Sequence, residues 1–219
     1  GVFRRQRQMC IRDSSNIFRP YLEIERMPHR LITTASADVP LKGLDFTLHA
    51  LALLVEEFED IQLLVIGAFR EGGHTERLIK KLNLNKRVTF KTGITKDEIA
   101  QEYARSSVAI VSSLYEGFGY PVAEAMSCST PLVATDIASI PEITDDFAIL
   151  IPPKNSIAIS DSVRKIFLEP NLYNKIAVKG RQHIKTKFNW LFIGKQYEDL
   201  MNKVIKNHKP IIKGNNANF

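Results

Sequence analysis

The chain has 219 residues, of which 44% are hydrophobic and 25% charged, and it carries a net charge of +6. That balance can bury a sizeable core and excludes a disordered or collagen-like chain. The longest apolar run, "LALLVEEF", is broken by acids short of the roughly 18 residues a bilayer span needs, and the N-terminus has no apolar signal segment.

Residues 1–14, "GVFRRQRQMCIRDS", lack periodicity and are arginine-dense where the rest of the chain prefers lysine. They read as a foreign leader and are set aside from fold reasoning. Arg4, Arg5, Arg7 and Arg12 against Asp13 supply +3 of the net charge. Lys195, Lys203, Lys206, Lys209 and Lys213 weight the opposite end. Basic ends can attract nucleic acid or anionic lipid. No nucleic-acid-reading motif accompanies them, so solvated ends and no nucleic-acid partner are expected. Cys10 and Cys128 lie far apart in sequence, which fits free thiols in a reducing, cytoplasmic compartment. His29, His49, His74, His183 and His208 show no ligand spacing, and no metal site is expected.

Residues 15–30 read as a linker remnant. From Leu31 onward, short apolar runs alternate with helical periods. Strands are predicted at 31–35, 61–67, 87–90, 108–113, 131–135 and 148–151. The second and fourth are apolar almost throughout, as strands covered on both faces are. Leu44, Leu48, Leu51, Leu54 and Val55 make one helical stripe, and Leu78, Ile79 and Leu82 another. Asp97 and Glu98 open a further helix through Tyr103, where acids suit the positive end of the helix dipole. Strand–helix alternation every ~20 to 30 residues predicts a doubly wound parallel α/β sheet over 31–187. After Ile151 the chain turns helical: one helix capped by Asn155 or Ser156 and stopping at Pro170, one through 171–188, and one over 188–208. Residues 209–219 read as a flexible tail.

"SLYEGFGYPVAEAMSC", residues 113–128, joins the fourth strand to a helix through a glycine pair. A dinucleotide fingerprint needs a third glycine, where Val122 stands, and belongs to the first strand–helix turn. A hydride-transfer site is therefore poorly supported. Pro121 suits a first helical turn and makes Tyr120 the nominal N-cap, a poor one. Amides around Val122 and Ala123 are then without a side-chain partner, open to an anion or to water. Glu116 and Glu124 bracket this start with seven residues between them. An acid there is stabilising on structural grounds alone. Paired carboxylates also accept the hydroxyl protons of a sugar or ribose.

The string "SLYEGFGYPVAEAMSCSTPLVAT", with "VTFKTGITKDEIAQEYARSSVAIVS" before it and "IASIPEI" after, resembles the donor-site segment of retaining GT-B glycosyltransferases of family 4, with their E-x7-E pattern. The likeness runs from about Phe18 to about Tyr197. It implies a Rossmann-like C-terminal domain that binds a nucleotide-diphosphate sugar with no obligatory metal cofactor. It also implies that Glu124 holds the ribose and Glu116 the hydroxyls of the transferred sugar. Backbone at Gly117, Phe118, Gly119 and Tyr120 would meet the sugar and diphosphate. Lys42, in "DVPLKG", matches the lysine that neutralises the diphosphate as it leaves.

Two positions depart from the family pattern. Ala37 stands where an arginine is usual, so diphosphate neutralisation would fall to Lys42 alone, to another cation such as Arg70, or to helix amides, and Ser129 stands where glycine is common. Cys128 reads as a small buried residue. The resemblance further implies an N-terminal acceptor domain as partner and a lipid-linked or cell-surface glycan as acceptor. It allows a peripheral position at the inner membrane face. The helix around "FNWLFIGKQYEDL" would cross onto that partner domain, leaving Trp190, Leu191, Phe192 and Tyr197 as an apolar patch. Without that domain the chain is expected to bind donor and turn nothing over.

Overall fold

A computed structural model describes residues 17–207; the leader, Cys10 and the tail expected at 209–219 lie outside them. The strands are β1 (Arg30–Thr34), β2 (Gln62–Ile66), β3 (Val88–Lys91), β4 (Val108–Val111), β5 (Leu132–Thr135) and β6 (Ile149–Ile151). Their ends fall within two residues of the six predicted runs, and all pair in parallel. Their order is β3-β2-β1-β4-β5-β6. This is the doubly wound Rossmann arrangement, whose strand order reverses between β1 and β4.

The helices are α1 (Leu44–Leu54), α2 (His74–Lys81), α3 (Lys96–Arg105), α4 (Tyr120–Ser127), α5 (Ile140–Thr144), α6 (Ser156–Leu168), α7 (Pro170–Lys187) and α8 (Trp190–Asn207). Successive strand residues point to opposite faces, so the sheet feeds two cores. Leu31, Leu63, Val65 and Ile110 pack with α1, α2 and α6. Ile32, Leu64, Ile66 and Val111 pack with α3, α4, α5 and Ile184 of α7. Each fully buried Leu or Ile contributes about 1.5–3 kcal/mol relative to exposure.

Local signals explain several boundaries. Thr95 and Glu98 form a capping box at the start of α3, a T-x-x-E signal that the reading from acids alone passed over. The Asn155 side chain caps α6 by accepting from the Ala158 amide at 2.9 Å. Helix α6 ends at Leu168, just before Pro170 as expected, and Pro170 opens α7, where its missing N–H costs no hydrogen bond. Helix α5 was not predicted, because five residues are too few to show a period. On α8, Phe192, Tyr197, Leu200, Met201, Val204 and Ile205 are exposed; the side chains of Trp190 and Leu191 lie outside the described set. Among the described residues, no helix is long and apolar enough to cross a membrane.

Candidate functional site

Two loops leave the carboxyl edge of the sheet where the strand order reverses: residues 35–43 after β1 and 112–119 after β4. In open parallel sheets this crevice is where ligands bind. The loops are stitched together. The Leu114 amide donates to the Leu41 carbonyl at 2.8 Å, and the Ser112 hydroxyl donates to the Gly43 carbonyl at 2.9 Å. The Thr135 hydroxyl donates to the Ser113 carbonyl at 2.6 Å, tying the second loop to β5. Gly43 is the joint. Its φ is +65°, and a Cβ there would lie 1.9 Å from the Ser112 carbonyl oxygen. Only glycine lets the 3-10 turn Pro40–Lys42 enter α1 so close to β4.

That turn carries Lys42 to Glu116. Lys42 Nζ donates to Glu116 Oε1 at 2.5 Å, and Ser113 Oγ donates to the same oxygen at 2.8 Å. The side chain of Glu116 is 10% exposed and that of Lys42 33%. A carboxylate this buried has to be paired, and this one has both a cation and a hydroxyl.

Helix α4 begins in a different frame from the one expected. Gly119, at φ +83°, is the N-cap; Tyr120 is the first helical residue and Pro121 the second. The left-handed glycine turns its carbonyl back into the helix, where the Val122 and Ala123 amides donate to it at 3.0 and 3.2 Å. Those amides are therefore not the open anion donors predicted. No acid falls in the first turn, so Glu124 sits beyond it.

Tyr120, Ala123, Glu124 and Ser127 nevertheless share one face of α4, at the spacing of helical neighbours, and that face lines a cavity of about 770 Å³. Other walls include Thr34–Ser36 at the end of β1, Ile66 and Gly67 at the end of β2, Lys96 and Ile99 of α3, Phe118, the end of α7, and Phe18. Lys42 and Glu116 also line it. Thr34 lies 2.8 Å from the hydroxyl of Tyr103, fastening β1 to α3. Burial, and then the charge of Glu124, push the Tyr103 phenol well up, so it stays neutral.

Lys42, Glu116, Phe118, Tyr120 and Glu124 thus come together on one cavity, whereas Gly117 and Gly119 are not among the residues that line it. Arg70 does not join them: its side chain is 76% exposed, with Nε 3.9 Å from Asp38. Ala37 is buried, and its amide donates to the Ala68 carbonyl at 2.8 Å. The cavity cations besides Lys42 are Lys96, Arg181 and Lys185, which sequence reasoning did not single out. They sit on α3 and α7 with no local motif, and only tertiary packing brings them here. Cys128 is an inert core thiol, pushed well up by burial, as expected. Ser129 occupies the left-handed region at φ +55°, which accounts for the glycine common at that position. Among the described residues, no three His, Cys, Asp or Glu side chains group as metal ligands.

Residues 23–183 match the family described as glycosyl transferases group 1. The MMP alpha-(1->4)-mannosyltransferase of Mycolicibacterium hassiacum is 33% identical over 183 residues, 82% of this chain and 44% of that protein. The crystal structure of the C-terminal domain of a glycosyl transferase group 1 family protein (LpcC) from Francisella tularensis superposes with a TM-score of 0.69 at 25% identity, covering 80% of this chain and 98% of that domain. Anabaena HepE, solved in complex with UDP and glucose, shares the fold at 21% identity, with a TM-score of 0.68 over 79% of this chain and 48% of that one. Sheet, cavity and likeness define a Rossmann-like domain of the GT-B glycosyltransferase class. Within that class, the chain belongs to the glycosyl transferases group 1 family and corresponds to its C-terminal domain. It spans less than half the length of the mannosyltransferase that it matches.

Proposed function

We propose that the cavity binds a nucleotide-diphosphate sugar, as the donor half of a retaining glycosyltransferase. The observation that carries this reading is the convergence of Lys42, Glu116 and Glu124 from three separate segments on one cavity. Glu124 accepts the ribose hydroxyls and Glu116 those of the transferred sugar. Lys42 neutralises charge as it develops on the departing diphosphate. Among the described residues, four cations against two carboxylates line the cavity, a balance suited to a doubly charged diphosphate. Those cations carry the charge compensation a metal could otherwise supply, so the reading needs no obligatory metal.

The chain alone binds donor without turnover, because the acceptor side of the reaction belongs to a partner domain. Its share of the related mannosyltransferase, 44%, leaves room for such a domain. The exposed Phe192 and Tyr197 of α8 suit contact with it. The acceptor in this reading is a lipid-linked or cell-surface glycan, reached from the cytoplasmic side of a membrane.

Calorimetric titration of the full chain with UDP, GDP, their glucose and mannose conjugates, and NAD tests the proposal. Heat with one diphosphate series and none with NAD is expected. Binding of NAD with no response to any nucleoside diphosphate would discard it.

A further inference from the structure

We propose that the Lys42–Glu116 ion pair makes the site prefer intact donor over spent nucleoside diphosphate, acting as an internal competitor that helps expel the product. This rests on the nucleotide-sugar reading above. Lys42 Nζ is held at 2.5 Å by Glu116 Oε1. A diphosphate that takes Lys42 must pull it from that carboxylate. Glu116 is then left with the Ser113 hydroxyl, at 2.8 Å, and with a side chain only 10% exposed. A nearly buried anion stripped of its counter-ion is costly, and the incoming phosphates add like charge beside it.

An intact donor offsets that cost, because its sugar brings hydroxyl protons to the vacated carboxylate. A nucleoside diphosphate brings none. The same two residues therefore favour one ligand through a contact and disfavour the other through an exposed repulsion, the usual two halves of specificity. Once the sugar has left, Glu116 regains Lys42 and the diphosphate loses its main cation. The two loops that hold the pair are tied by the Leu114–Leu41 and Ser112–Gly43 hydrogen bonds, which keep the backbones carrying the two charges side by side.

Two variants of opposite sign test this in the full chain. Glu116→Gln frees Lys42 and removes the repulsion, and should tighten UDP or GDP by about tenfold while leaving the sugar conjugate no tighter. Ser113→Ala removes the second donor to Glu116, makes it depend on Lys42 alone, and should weaken the free diphosphate more than the conjugate. Uridine or guanosine, lacking phosphate, should respond to neither change. If Glu116→Gln does not fold, Ser113→Ala decides alone. A diphosphate affinity that is unmoved, or moves the other way, in a folded variant overturns the proposal while leaving the nucleotide-sugar site intact. A wild-type chain that binds no nucleoside diphosphate at all overturns both.

Discussion

Lys42 Nζ and Glu116 Oε1 are 2.5 Å apart although 74 positions separate them in the chain. The contact follows from topology: Lys42 ends the loop after β1, Glu116 lies in the loop after β4, and the sheet places those strands side by side. Local requirements hold it there. Gly43 permits the close approach of the two loops, and Ser113 orients the carboxylate.

Lys42→Ala removes a half-buried cation from the cavity. The expected effect is a loss of about 10- to 100-fold in nucleoside diphosphate affinity, or about 1.4–2.8 kcal/mol, with little change for the nucleoside. Calorimetry with the paired ligands measures this. Equal losses for both would argue against a phosphate role for Lys42.

Glu124→Ala is expected to abolish detectable nucleotide binding while the fold persists, because Glu124 lines the cavity on an otherwise intact α4. A matching loss for 2′,3′-dideoxynucleotides on the wild-type chain would locate the contact at the ribose. Unchanged affinity of the variant would remove the assigned role.

Ser129 is a non-glycine residue at φ +55°, and its buried hydroxyl has no hydrogen-bond partner among the described residues. Relief of both, less the extra chain entropy of glycine, predicts that Ser129→Gly stabilises by about 1 kcal/mol. Urea midpoints measure it, and a lower midpoint would contradict the explanation.

Glu102 has a side chain only 5% exposed and is paired with Arg30, Lys91 and Arg105. Burial alone would raise its carboxyl. The Lys91 hydrogen bond and the Arg30 and Lys91 charges outweigh burial and hold it below the ordinary range. A depressed carboxylate contributes stability above its unfolded value and loses it as pH falls through the folded one. Glu102→Gln should therefore cost about 2 kcal/mol at pH 7, with the difference shrinking below about pH 4.3. A gap that persists in denaturant melts at pH 2 would show that the charge is not responsible.

The sheet was legible because strands covered on both faces write themselves as near-continuous apolar runs, as β2 and β4 do, and because short apolar runs alternate with helical periods along the chain. Lys42, Glu116 and Glu124 were legible through a long ordered string that resembles a known family, more than through the chemistry of any single residue. The frame of α4 was not. Residue types alone put the cap at Tyr120, whereas the left-handed φ of Gly119 moves it one position and closes the Val122 and Ala123 amides. Lys96, Arg181 and Lys185 were equally hidden, because their place on the cavity depends on how α3 and α7 pack over the sheet. The Lys42–Glu116 pair itself is a tertiary fact that no local pattern announces.

The most direct test of the nucleotide-sugar site is an amide chemical-shift map of the chain during titration with the nucleoside diphosphate that binds it. The largest shifts are expected on residues 35–43 and 114–124, with Glu116, Gly119 and Glu124 among them. Shifts centred on α8 or the far ends of the strands, with that crevice silent, would contradict it.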